Sequence, residues 1–238
     1  MKSINTLLDD LEEKIGYSFD NRDILLLSLV HRSYGNENEK YRNINNERLE
    51  LLGDSILGFI VTEALYLQFP NAKEGELAKV RSNLINQSTL ASFASSINLG
   101  SFLLMGKGEE KIGGRERQTV LGDSFEALLG GLHLDGSYDI AQKFCMKFIG
   151  PIIADLDLSK MEDDHKTKIQ KYFQSKYKSL PQYSLREIVD KDGLKVFEAE
   201  VIFNGTSLGK GLGKNKKDAT QNGAKDALAN LEKRGFKS

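Results

Sequence analysis

The stretch Asn46-Glu47-Arg48-Leu49-Glu50-Leu51-Leu52-Gly53-Asp54-Ser55-Ile56-Leu57-Gly58-Phe59-Ile60 decides how the rest of the chain is read. Wound as an α-helix at about 100° per residue, it gathers Glu47, Glu50 and Asp54 within roughly 60° of one another. Leu49, Leu52, Ile56, Phe59 and Ile60 gather on the opposite side, the face expected to meet a core. Three acids stacked on one face repel each other, which a stable helix normally avoids. A hard divalent cation such as Mg²⁺ relieves that repulsion, because it takes one or two carboxylate oxygens and keeps several waters. For this stretch alone, a plainly solvated acidic face is the competing reading.

A second stretch, Gly122-Asp123-Ser124-Phe125-Glu126-Ala127-Leu128-Leu129-Gly130-Gly131, repeats the design. Asp123 and Glu126 share one face, while Phe125, Leu128 and Leu132 take the other. Two helices of this kind can turn their acidic stripes toward a shared point. A set of four or five carboxylates around one point suits a metal-dependent phosphoryl-transfer enzyme.

Residues 46–55 resemble the signature of ribonuclease III, the double-strand-specific endoribonuclease, and Asp123–Ala127 resembles its second acidic motif. The resemblance extends over nearly the whole chain. It implies an all-α catalytic domain of the ribonuclease III type, with Glu50, Asp54, Asp123 and Glu126 holding Mg²⁺ (Mn²⁺ as a substitute). Glu47 and Glu74 match further acidic positions of that family, near the scissile strand or the neighbouring subunit. Lys73–Glu76 reads equally well as an ordinary helix start. The same resemblance implies a homodimer acting on both strands of duplex RNA. It also implies 5′-phosphate and 3′-hydroxyl ends, short 3′ overhangs, and ribosomal RNA precursors and structured messenger regions as substrates.

The length suits one or two domains, each able to bury a core. The chain has 238 residues, 39% hydrophobic and 28% charged, and a net charge of −1. That balance conceals an asymmetry: residues 160–238 carry 17 Lys+Arg against 11 Asp+Glu, and residues 1–159 carry 16 against 23. An acidic half beside a basic half points to a metal-binding part and a polyanion-binding part. The single cysteine, Cys145, forbids an internal disulfide and reads as a small buried hydrophobe. No stretch reads as a signal peptide or a membrane span, so a reducing cytoplasm is expected.

Periodicity predicts helices at Ile4–Leu11, Ile24–His31, from the signature to just before Pro70, Glu74–Ser95 and Asp139–Phe148, the last broken by Gly150-Pro151. Gly35–Asn45 and Gly106–Arg117 read as loops. The expected organisation is a helical domain over 1–153, a linker over 154–166, and a small α+β domain over 167–238. In the last, Lys168–Tyr177 and Lys216–Leu231 read as helices around strands Gln182–Val189, Val196–Phe203 and Ser207–Gly211, with Asn204-Gly205 as a hairpin turn. This α-β-β-β-α order resembles the double-stranded RNA-binding domain.

In that domain Lys214, Lys216 and Lys217 sit at a helix start, where side-chain charge and free N–H groups both suit phosphate. Lys168 and Gln170 of the first helix are the candidates for the minor groove, where 2′-hydroxyls mark RNA. In the helical domain the resemblance puts Lys107, Arg115 and Arg117 at an RNA-contacting edge; a plain surface connection is the alternative. The chain departs from the pattern in three places. The Asp190–Leu194 loop lacks the Pro and His of many such domains, Gly223 replaces a usual Ala, and Leu51 replaces a frequent Phe at the family's dimer interface.

The three histidines lie apart, which argues against the paired imidazoles of a 2′-hydroxyl mechanism; His31 and His133 read as structural. Neither glycine-rich stretch is a nucleotide-cradling loop, so no nucleotide cofactor is expected. One rival reading is a non-catalytic double-stranded RNA-binding regulator. Another is a phosphohydrolase of small nucleotides.

Overall fold

The structure, a computed structural model, describes residues 3–158, 165–189 and 193–233. It forms two compact units, Met1–Leu158 and Ser159–Ser238. The expected linker residues 159–164 and the loop residues 190–192 lie outside the described residues.

The first unit is helical: α1 (Ile4–Ile15), α2 (Arg22–Ser28), α3 (Glu47–Gln68), α4 (Glu74–Leu84), α5 (Gln87–Ser96), α6 (Lys107–Lys111), α7 (Gln118–Asp135) and α8 (Tyr138–Ala154). Its axis is α7, buried from Val120 to Leu132 at every position except Asp123. Helices α3 and α5 pack most extensively on α7, with α2 and α8 completing the shell. Phe93, Phe125, Phe144 and Phe148 fill one end of the core, with neighbouring ring centroids 5.3–5.8 Å apart. Offset and edge-on pairs of this kind add to the burial term.

Four expectations are corrected here. The predicted helix over Glu74–Ser95 is two helices, because the Asn86 side chain accepts the Thr89 N–H at 2.9 Å and starts α5 afresh. Helix α8 runs through Pro151 to Ala154. Burial of Ile149 and Ile153, one turn apart, outweighs the backbone bond that Pro151 forfeits. Phe59 is 57% exposed, joining Leu51 and Tyr66 on an outward apolar stripe of α3, while Leu57 takes its place in the core. The region Gly106–Arg117 contains a short helix, α6, and a 3₁₀ turn.

The second unit runs α9 (His165–Tyr177), β1 (Gln182–Val189), β2 (Lys195–Phe203), β3 (Thr206–Gly213) and α10 (Lys216–Lys233). The strands pair antiparallel in the order β1-β2-β3, with Leu185 opposite Ala199 and Ala199 opposite Gly211. Asn204 and Gly205 both have positive φ, 48° and 74°, as the tight hairpin turn requires. Ile169, Phe173, Val201, Ala224 and Ala227 form the core. Helix α10 lies directly on β3 because Gly209, Gly211 and Gly213 carry no side chain: a Cβ at Gly211 would stand 2.0 Å from the Gly223 nitrogen. A Cβ at Gly223 would stand 2.9 Å from the Ala199 carbonyl oxygen, which explains a glycine inside a helix. Helices α8 and α9 occupy both ends of the expected 154–166 linker, at Ala154 and His165–Lys166.

Candidate active site and RNA-binding surface

Helices α3 and α7 touch backbone to backbone. A Cβ at Gly53 would lie 1.8 Å from the Glu126 carbonyl oxygen, and one at Gly130 would lie 2.4 Å from that of Leu49. Only two glycines allow this approach, and it sets Glu50 of α3 beside Asp123 and Glu126 of α7. One carboxylate oxygen from each of the three lies within 4.8 Å of the other two. The start of α3 is fixed independently: buried Asn46 donates its side-chain amide to the Ser28 carbonyl at 3.2 Å and its N–H to the Val30 carbonyl at 2.9 Å.

The cluster is electrostatically uncomfortable as it stands. Glu126 is 8% exposed. Burial first, then the charges of Asp54, Asp123 and Glu50, push its carboxyl up to about 8. Burial also raises Glu50, with Asp123, Glu47 and Asp54 adding to it and Arg32 opposing. Neither the Glu50 nor the Glu126 side chain accepts a hydrogen bond among the described residues. Asp123 accepts one, at 2.7 Å, from the Gln87 side-chain amide. Three hard oxygen donors, like-charged and half to fully buried, fit a divalent cation; the set contains no sulfur or imidazole to favour a softer metal.

The other expected acids fall outside this trio. Asp54, one turn beyond Glu50, is exposed, although its charge weighs on Glu126 more than that of any other neighbour. Glu47 is exposed; it accepts from the Asn45 amide at 3.1 Å and lies 3.9 Å from Arg32. Glu74 is exposed in the first turn of α4, which Glu76 closes by accepting the Lys73 N–H at 2.7 Å. His31 Nδ1 stands 2.8 Å from Ser33 Oγ, which also accepts the Gly106 N–H at 3.0 Å, so the imidazole braces a loop.

Sequence reasoning missed Gln87, Arg32, Gly53 and Gly130. Gln87 reaches Asp123 across 36 positions, and no local pattern announces such an approach. The glycines did carry a signal, since helix-interior glycines are costly unless a close neighbour requires them.

On the expected RNA edge of this unit the three cations differ. Arg115 gives Nη1 to the carbonyls of Gly100 (2.9 Å) and Leu103 (2.7 Å) and Nε to Glu110 (2.6 Å). Its planar guanidinium thus ties down the 99–103 turn. Arg117 lies 2.6 Å from Glu109. Lys107 is exposed at the start of α6.

In the second unit Lys214, Lys216 and Lys217 are all exposed. Asn215 accepts the Asp218 N–H at 2.9 Å and opens α10, putting Lys216 and Lys217 in its first turn. Cations at a helix N-terminus cost stability, so this arrangement suits an external anion better than it suits the fold. Lys168 and Gln170 flank buried Ile169 and point about 160° apart around α9. Lys168 is exposed and Gln170 is half-buried.

A ribonuclease-III-like family model matches residues 21–153, and a double-stranded RNA binding motif matches residues 165–231. The chain belongs to the ribonuclease III family. Ribonuclease 3 of Desulforamulus reducens is 39% identical over 231 residues, covering 96% of this chain and 94% of its own. Ribonuclease 3 of Fusobacterium nucleatum is 40% identical over 216 residues, covering 91% and 92%. The nuclease domain of Campylobacter jejuni ribonuclease III has a similar structure, with a TM-score of 0.58 at 36% identity, covering 66% of this chain and 100% of that one. This ribonuclease III chain is therefore an endoribonuclease for double-stranded RNA, built from a helical nuclease unit and an RNA-binding unit. Among the described residues no helix is long and apolar enough to cross a membrane.

Proposed function

We propose that Glu50, Asp123 and Glu126 hold Mg²⁺, with Mn²⁺ able to substitute and with Asp54 completing the ligand set. We further propose that this site hydrolyses the phosphodiester to leave 5′-phosphate and 3′-hydroxyl ends. The observation that carries the reading is the convergence of carboxylate oxygens from two helices within 4.8 Å. When bound, the cation supplies a more acidic water and neutralises charge at the leaving 3′-oxygen. The chain's own contribution is to fix the donors. Gly53 and Gly130 set the helix spacing, Asn46 fixes the start of α3, and the buried face of α7 keeps Glu126 out of bulk water. Glu47 and Glu74, both exposed, stand ready for the scissile strand or a neighbouring subunit. Lys107, Arg117, Lys214, Lys216 and Lys217 contact phosphates, and Lys168 and Gln170 reach the minor groove.

The working form is a homodimer that leaves short 3′ overhangs. A Campylobacter jejuni nuclease-domain structure is described by flexibility in a region involved in dimer formation. Here Leu51, Phe59 and Tyr66, 71%, 57% and 69% exposed, form one apolar stripe on α3 that suits burial against a second copy. A two-fold axis matches the local symmetry of duplex RNA. Ribosomal RNA precursors and structured messenger regions in the cytoplasm are the natural substrates. The domains act as 1–153 and 167–238, joined through 154–166.

Cleavage of long duplex RNA, single-stranded RNA and duplex DNA, each with Mg²⁺ and with EDTA, tests the reading. Only duplex RNA with Mg²⁺ should be cut, and Glu126→Gln should bind duplex RNA without cutting it. Cutting in EDTA, or by Glu126→Gln, would overturn the metal reading. Binding without any cutting would favour a regulator.

A further inference from the structure

We propose that Gln87 is a positioning residue for the cation site, acting through Asp123. This rests on the metal reading above. Gln87 is the first residue of α5, while Asp123 lies in the second turn of α7. The Gln87 amide nitrogen donates to Asp123 Oδ1 at 2.7 Å. Its carbonyl end lies over Gly122, where a Cβ would stand 1.9 Å from Gln87 Oε1. Gly122 therefore provides the space in which the amide lies, and Asp123 accepts its proton. Of the three converging acids, only Asp123 has a donor among the described residues, so its carboxylate alone is held against rotation before a cation arrives. The amide also places a partial positive charge beside three converging carboxylates.

The consequence is pre-organisation. Without the Gln87 donor, Asp123 is free to swing away from Glu50 and Glu126, and each cation must gather its ligands at an entropic cost. The hydrogen bond is solvent-exposed, so its loss should weaken cation binding by about threefold to tenfold rather than abolish it. The effect belongs to cation affinity, and high Mg²⁺ should recover most of the lost rate.

Gln87→Met tests this, because it keeps length and volume and removes the donor. Full-length wild type, Gln87→Met and Glu126→Gln are compared by Mn²⁺ titration without RNA, read as free Mn²⁺ by electron paramagnetic resonance. The Mg²⁺ dependence of duplex RNA cleavage and the melting temperature in EDTA are measured alongside. The expected result for Gln87→Met is Mn²⁺ binding and half-saturating Mg²⁺ both weakened about threefold to tenfold, with melting in EDTA unchanged. Wild-type Mn²⁺ binding by Gln87→Met, with Glu126→Gln losing it, overturns the Gln87 role and leaves the metal reading standing. A fall in the rate at saturating Mg²⁺ with no shift in cation requirement also overturns it. Equal Mn²⁺ binding by wild type and Glu126→Gln removes the metal reading itself, and the Gln87 role with it.

Discussion

Glu126→Gln removes one buried negative charge at nearly constant volume. Burial, reinforced by Asp54, Asp123 and Glu50, raises this carboxyl from 4.5 to about 8. At about 1.4 kcal/mol for each tenfold change, the charged form is disfavoured by about 5 kcal/mol. Between those two values the folded, cation-free protein keeps a proton that the unfolded chain releases. Stability from this group therefore falls as pH rises from roughly 4.5 to 8 and is level above that. The variant has no such proton to lose. In EDTA at pH 9 it should be more stable than wild type by about 2–5 kcal/mol, or roughly 5–15 °C in melting temperature for a unit of this size. At pH 5 the advantage should vanish. Saturating Mg²⁺ should reverse the order at pH 9, because only wild type gains stability from a cation held in the folded state. Thermal and urea melts at pH 5, 7 and 9, each with EDTA and with Mg²⁺, measure all of this. Parallel pH profiles for wild type and variant in EDTA would refute the idea that Glu126 is a buried, charge-crowded group.

Gly53→Ala drives a methyl group into the Glu126 carbonyl and should cost about 2–3 kcal/mol and most of the cleavage activity; Gly108→Ala, with open space around it, should be neutral in melting temperature. Arg115→Ala should lower melting temperature by several degrees with duplex affinity little changed, whereas Lys107→Ala should weaken duplex binding and leave melting alone. Replacing Lys214, Lys216 and Lys217 together by Ala should weaken duplex RNA binding and flatten its log–log salt dependence by about one for each phosphate left without its lysine, as filter binding from 50 to 200 mM salt can read.

Much of this was legible because it is written in local periodicity. The acids of residues 46–60 and 122–131 share helix faces, and faces follow from spacing. Strand β2 and the Asn204-Gly205 turn follow from alternation and from the positive φ that such a turn demands. What was not legible depends on tertiary packing. Pro151 is tolerated because Ile149 and Ile153 find a core, Arg115 is captured by carbonyls 12 and 15 positions away, and Gln87 meets Asp123 only once α5 lies on α7. Phe59 reads as a core residue by spacing, yet α3 turns it outward with Leu51 and Tyr66. Periodicity finds an apolar face but does not say whether the same chain covers it.

The most direct measurement is a crystal structure grown with Mn²⁺ and phased to show its anomalous signal. An anomalous peak within coordination distance of Glu50, Asp123 and Glu126 is the predicted result. A peak elsewhere on the protein, or these three carboxylates turned apart with no ion among them, would contradict it.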